Sequence, residues 1–538
     1  MLYPKSKEKV LSKELFKNPT AEYRCTPFWA WNCDLDKEVL EKEIDVMKEM
    51  GMVGFHMHTR VGMSTKYLSD DFMALIKSCT EKAKKENMLA WLYDEDKWPS
   101  GFGGGYVTAK KENRQKFLML TTRPYSDEEQ AEQMGTANAV ARRSNNGVLL
   151  AMYDVLLDSD GYLKGYKRID TEKSAEGTVW YAYMETPLES AWFNFQTYVD
   201  TLSKSAIDDF IHTTHDRYKE IIGDEFDKTV PAMFTDEPQV THKIMLNHAT
   251  DKTDMFFPYT TDFDDTYSSA YGESILDKFP EVIWDKKGVI SVTRYRYHDH
   301  VTERFVSAFC DNVGAWCKNN NILMTGHMME EPTLGTQTAA IGEAMRAYRS
   351  YGMPGVDMLQ DLKEFTTVKQ AASATHQHSY PGVLSELYGV TNWDFDFRGH
   401  KLQGDWQAAL GVSVRVPHLY WVSMKGEAKR DYPASIGHQS AWYHEYSYIE
   451  DHFARVNTAM IRGKADIKIG IIHPIESYWL HFGPNDLTSS IREQLDDNFL
   501  NITETLLYNT LDFDYICEST LPQPLLAFSM LPTPRASS

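Results

Sequence analysis

The chain has 538 residues, 42% of them hydrophobic, and 77 Asp and Glu against 56 Lys and Arg give a formal net charge of -21. That length exceeds one small core and that apolar fraction argues against general disorder, while the acidic balance argues against nucleic acid or an anionic membrane as partner, since both need basic surface. The start, MLYPKSKEKVLSKELF, has no apolar signal core, and no apolar run reaches the roughly 20 residues of a membrane span, so a cytoplasmic protein is expected. The six cysteines form no CxxC pair; they read as reduced thiols and no zinc site is expected.

In chain order, TPFWAWN (26–32) reads as a first strand. A helix follows, with Leu40, Ile44, Met47 and Met50 at helical spacing and Gly51 at its end. MVGFHMHTR (52–60) is a second strand, with His56, His58 and Arg60 pointing one way. A second helix takes Ser69 as N-cap, and MLAWLYDEDKWPSG (88–101) is a third strand running into an acidic, aromatic, glycine-rich tip. From about 112 to 195 the period shifts to two, which predicts a β-rich insertion of antiparallel strands. A helix then leads to the strand VPAMFTDEPQV (230–240), which Pro238 should terminate. Alternation there puts Met233, Thr235 and Glu237 on one face, and Phe234 and Asp236 on the other. The polar excursion over 241–288 is expected at the same mouth, where it shapes a cleft. ILMTGHMMEE (322–331), GVDMLQ (355–360), GVLSELYG (382–389) and VSVRVPHLYWV (412–422), each after a helical stretch, complete eight strand–helix units.

This rhythm predicts an α/β fold, a TIM (β/α)8 barrel over about 20–463. The rival, an open doubly wound sheet, lacks a GxGxxG after its first strand. Residues 464–538 read as the start of a flavodoxin-like α/β domain that stays incomplete. Its last stretch, LPQPLLAFSMLPTPRASS, has no periodicity, as expected of a fragment or of a frame change near the end.

Barrel active sites gather at the C-terminal strand ends. The tips collected there are Asn32, His56, His58, Arg60, Asp94, Asp96, Trp98, Asp236, Glu237, His327, Glu330, Asp357, Glu386, Tyr388, His418 and Trp421. They are rich in carboxylates, His and Trp, and poor in phosphate-binding loops. Two facing carboxylates are what glycosidic cleavage needs: a protonated one to donate to the leaving oxygen, an ionised one as nucleophile or as base for water. Glu237 and Glu386 are the candidate catalytic pair, and their separation would distinguish retention from inversion. Trp31, Trp98, Tyr388 and Trp421 are candidate stacking surfaces for sugar faces; Asn32, His56, His58, Asp94, Asp96, Asp236, His327 and His418 are candidate polar contacts. Each has a plain alternative: His56 and His58 as satisfied structural histidines, Asp94 and Asp96 as loop caps, the KGEAKRDYP stretch as an exposed loop rather than a cationic lid.

PFWAWN, the FHMH tip, YDEDKWPSGFGGG, TDEP, SELYG and KRDYP together resemble the barrel of bacterial glycoside hydrolases of the α-L-rhamnosidase family, over about residues 26–480. HPIESYW resembles the entry to the flavodoxin-like domain that follows the barrel in some β-galactosidases. The resemblance implies a glycosidase acting on a carbohydrate, with the acid at Glu237 and the nucleophile or base at Glu386. The sequence departs from the broader retaining clan at Asp236, where that clan has an Asn that holds the sugar hydroxyl next to the anomeric carbon, and the resemblance to the nearer relatives implies inversion and a bound calcium. A homo-oligomer is compatible with all of this. The alternatives from other classes are a non-catalytic carbohydrate-binding barrel and a metal-dependent hydrolase or lyase on the same fold.

Overall fold

The computed structural model describes residues 10–126 and 141–521. The first nine residues, residues 127–140 of the expected insertion and the proline-rich tail from 522 lie outside them.

Eight parallel strands form the barrel: β1 (Phe28–Trp31), β2 (Gly54–Thr59), β3 (Leu89–Tyr93), β4 (Ala232–Asp236), β5 (Leu323–His327), β6 (Met353–Met358), β7 (Val383–Leu387) and β8, which is split into Val412–Pro417 and Tyr420–Trp421. The first piece of β8 pairs with β7 and the second with β1, so the split strand links the two ends of the sheet. Caps stop the helices where the sequence predicts: Ser69 Oγ accepts the Phe72 N–H at 3.3 Å, and Asn87 ends that helix in the left-handed region.

Period-two alternation decides what fills the barrel. Phe28, Trp91, Tyr93, Ala232, Phe234, Met353, Leu384, Val414 and Val416 pack as one interior cluster. Two or four residues further along several strands, the same inward positions turn polar: Asp236 on β4, Asp357 on β6, Glu386 on β7 and His418 after the first piece of β8. Register sets Asp236 beside His327 across β4 and β5, and Asp357 beside Glu386 across β6 and β7.

Between β3 and β4 the chain builds four strands of an antiparallel sheet, in the order Leu163–Arg168, Val148–Leu157, Thr178–Glu185 and Phe117–Thr121. A fifth strand, Met255–Pro258, comes from the excursion after β4 and pairs with Phe117–Thr121. That excursion therefore joins the inserted sheet rather than standing alone at the mouth. After the barrel, Ile469–Ile472 and Phe513–Ile516 pair in parallel around the helix Asn485–Tyr508. Despite its apolar run, the first of these strands is not buried but alternates between half-buried and exposed residues. The unit is pinned to the barrel by Lys369 on Asp512 at 2.8 Å and His376 on Asp514 at 2.9 Å. All six cysteines are free thiols. No helix among the described residues is long and apolar enough to cross a membrane.

Candidate active site

His327 is the hub of the mouth. Its Nε2 lies 3.1 Å from Asp236 Oδ1, and its Nδ1 faces Glu386 Oε2 at 3.8 Å. The Tyr93 hydroxyl donates to Asp236 Oδ2, so both Asp236 oxygens are engaged. Burial alone would raise the Asp236 carboxyl, but the hydrogen bond and charge of His327, then Tyr93, hold it below the usual range. Burial alone would neutralise His327, but Asp236, then Glu386 and Asp357, lift its pKa well above the ordinary value. The result is a buried imidazole whose charged form is favoured chiefly by Asp236.

Glu237 follows β4 with a φ of +45°. Strict alternation would send it with Met233 and Thr235 toward the helices, as read from the sequence. The left-handed backbone instead turns it into the mouth, where a carboxylate oxygen lies within 4.8 Å of His327 and Asp357. A left-handed non-glycine residue at a strand end is strained, and such strain clusters at functional sites. Burial and then the Asp236 charge push Glu237 well above the usual carboxylate range. Burial and then Asp357 do the same to Glu386, partly offset by His327. Glu386 also has His418 Nε2 at 3.6 Å. Asp357 is raised to about 7, and Glu331, buried behind the hub, to about 8, both chiefly by burial.

An aromatic rim frames this group. The Arg60 guanidinium lies 4.5 Å from the Trp98 ring centre and 5.6 Å from those of Trp421 and Tyr432. Two bonds, at 3.1 and 2.9 Å, tie it to Asp431. The KGEAKRDYP loop thus reaches the mouth through its acid and its tyrosine, not through its lysines. His58 stacks on Tyr93 at 4.0 Å; burial holds it neutral, at about 3, and lowers His418 well below the ordinary histidine value. Tyr93, Arg60, Tyr432 and Asp357 are the members that the candidate list omitted or left without a role. For Tyr93 and Asp357 the signal was present, as each shares strand parity with a neighbouring strand's acid.

Other candidates sit elsewhere. Trp31 points outward, packed on Trp29 and Phe72 at 5.5 and 5.6 Å, and belongs to the core between barrel and helices. Tyr388 is fully buried against His400, to whose carbonyl it donates at 3.1 Å. Neither offers a sugar platform. Asn32 is consumed by both polar groups of Ser423 at 2.7 and 2.9 Å, which latches the ends of β1 and β8 together. His56 lies deeper in the barrel between Phe28, Trp91 and Phe234, held to Thr26 O at 3.0 Å and neutral through burial. Asp94 is fully buried; its Oδ1 accepts from Ser100 at 2.6 Å and its Oδ2 faces His215, so it cannot clamp a hydroxyl. Asp96 binds Asn194 of the insertion at 2.8 Å. Between them, Glu95 accepts the backbone N–H groups of Asp96, Gly101, Gly103 and Gly104 at 2.6–2.9 Å, two per oxygen. The GFGGG stretch is therefore a loop wrapped on a carboxylate. Ser100 then fastens that loop to the site, exchanging two bonds with the Asp236 backbone at 2.7 and 2.8 Å.

Among the described residues, two three-residue groups bring potential metal donors together, Asp236–His327–Glu386 and Glu237–His327–Asp357. Calcium takes six to eight oxygen ligands. Each group offers two carboxylates and an imidazole nitrogen of His327, so this donor set does not fit calcium.

No protein-family model matches the sequence, and no curated protein does. Among solved structures, a rhamnosidase from Novosphingobium sp. PP1Y superimposes with a TM-score of 0.60 at 12% identity, over 95% of this chain and 64% of that one. An exo-carrageenase from Bacteroides ovatus gives 0.39 at 13% identity, over 61% of this chain and 49% of that one. An endo-β-1,4-mannanase from Thermotoga petrophila gives 0.35 at 8% identity, over 85% and 83%. The chain spans less than two thirds of the rhamnosidase it matches. Over that span the likeness is one of fold, an α/β parallel barrel with helices.

Proposed function

We propose that this chain is a glycoside hydrolase in which Glu237 is the general acid and Glu386 the nucleophile or the base for water, with an α-L-rhamnoside as the first substrate to try. The observation that carries this reading is the meeting of Glu237 and Glu386, from β4 and β7, around the His327 imidazolium at an aromatic-rimmed barrel mouth. Glu237 has the environment of an acid that keeps its proton near neutrality, because burial and Asp236 both disfavour its charge. Glu386 has two imidazoles beside it; burial and Asp357 raise its pKa as well, and the His327 charge is what opposes them. Proton donation by Glu237 to the leaving oxygen, with attack at the anomeric carbon from the side of Glu386, breaks the glycosidic bond. Asp236, held by His327 and Tyr93, orients the hub. Trp98 and Tyr432 are the half-exposed rings available to stack on the sugar. The fold likeness to a rhamnosidase supports the choice of first substrate.

The test is a panel of para-nitrophenyl glycosides, α-L-rhamnoside first, with wild type, Glu237→Gln and Glu386→Gln. Hydrolysis by wild type, lost in both variants while sugar binding persists, is the expected outcome. Wild-type turnover that survives either substitution would remove that residue from its role. Binding without turnover in wild type would favour a carbohydrate-binding barrel.

A further inference from the structure

The two-carboxylate reading leaves Asp357 without a task. It stands at the C-terminal end of β6, in register with Glu386 on β7. One of its carboxylate oxygens lies within 4.8 Å of both a Glu237 oxygen and a His327 nitrogen, beside the place where the bond would break. Its Oδ1 is shielded from water and has no hydrogen-bond partner among the described residues. No ion pair among the described residues includes it, and the charges acting on it besides His327 are acidic, Asp236 and Glu364 among them. Asp94, Glu95 and Asp236, also buried at this end of the barrel, each accept at least one hydrogen bond from the protein, and the unpartnered Asp94 Oδ2 faces His215. An ionised carboxylate oxygen accepts only, so in that form what completes Asp357 is a donor, and a neutral sugar brings hydroxyls. The hydroxyl closest to a bond held between Glu237 and Glu386 is the one on the carbon next to the anomeric centre. Asp236 already accepts from Tyr93 and faces His327, one partner on each oxygen, whereas Asp357 Oδ1 has none.

We propose that Asp357 is a substrate-positioning residue that accepts a hydrogen bond from the hydroxyl on the carbon adjacent to the anomeric centre of the sugar being released. The proposal rests on the glycosidase reading and deepens it: it predicts preference for glycosides that carry that hydroxyl over their deoxy analogues. Such a bond strengthens as positive charge develops on the ring, so it acts on kcat more than on KM.

The experiment is a cycle of wild type, Asp357→Asn and Asp357→Ala on a cleaved para-nitrophenyl glycoside and on its analogue deoxygenated at that carbon. Asp357→Ala should lose about a hundredfold in kcat/KM on the full substrate, mostly in kcat. Wild type should lose a similar factor on the deoxy analogue, and Asp357→Ala should lose little more there. Asp357→Asn, which keeps one acceptor oxygen and the shape, should fall between. Independent losses that multiply, or a full-strength loss on the deoxy analogue, would overturn the assignment and leave Asp357 a structural acid. If Glu237→Gln and Glu386→Gln abolish turnover while the cycle is multiplicative, only this inference fails. If wild type cleaves no glycoside in the panel, the glycosidase reading fails and takes this assignment with it.

Discussion

The tip of β3 and the tips of β4 to β7 look alike in sequence and differ in use. YDEDKWPSG packs three acids into three positions, yet Glu95 is saturated by four backbone N–H groups of its own loop, and Asp94 is held through one oxygen by Ser100. The acids at the ends of β4, β6 and β7 stand among side chains from other strands: Asp236 and Glu386 on His327, Glu237 and Asp357 within reach of the same imidazole. A carboxylate closed by its own loop holds that loop; one facing charges across the barrel has a perturbed ionisation that chemistry can use. Ser100 joins the two regions, so the structural acid acts on the chemical one only through the loop it shapes.

The largest effect expected under this contrast is catalytic. Glu237→Gln and Glu386→Gln should each lower kcat by about 10²–10⁴-fold while the thermal midpoint stays within about 2 °C. A comparable loss of stability would place these acids with Glu95 instead.

Glu95→Gln should do the reverse. Its amide would set an NH2 against two backbone N–H groups, at a cost of about 2–4 kcal/mol in unfolding free energy. Turnover should fall less than about tenfold while the protein is folded, as a loosened loop misplaces Trp98. Denaturant unfolding and kinetics on the same sample would measure both.

His327→Gln comes next, with a loss of about 10–100-fold in kcat. Its sign with pH follows from the two shifts. His327 is raised above 6.5, so its contribution to stability is complete below that value and lost as pH rises through the higher folded pKa. Asp236 is depressed below 3.8, so its contribution is complete above that value and lost as pH falls through the lower folded pKa. Thermal midpoints across pH should show His327→Gln erasing the alkaline loss, with wild type retaining it.

The smallest effects separate two tryptophans. Trp31→Phe should cost about 1–3 kcal/mol of stability and leave kcat/KM within about twofold. Trp98→Ala should raise KM about tenfold through a lost stacking surface, worth about 1 kcal/mol or somewhat more. Equal kinetic effects from both would erase the distinction drawn between core and rim.

Much of this molecule was legible in its residues. Strand and helix periods, with Ser69 and the glycine-rich ends, specified eight strand–helix units, and the strand ends specified where Asp236, His327, Asp357 and Glu386 would gather. The fold needed only local information, because the two periods and the caps are properties of neighbouring residues. What a buried parallel strand does not reveal is which parity faces inward, since both faces are apolar. Trp31 therefore read as a platform until the barrel turned it to the helices, and Tyr388 likewise. Glu237 needed its left-handed φ to reach the mouth that alternation denied it. Arg60 found Asp431 across 371 positions, and Asp236 found Tyr93 across 143. Such pairings depend on barrel closure, where residues remote in the chain share one desolvated space, and only there is a catalytic acid separated from a structural one.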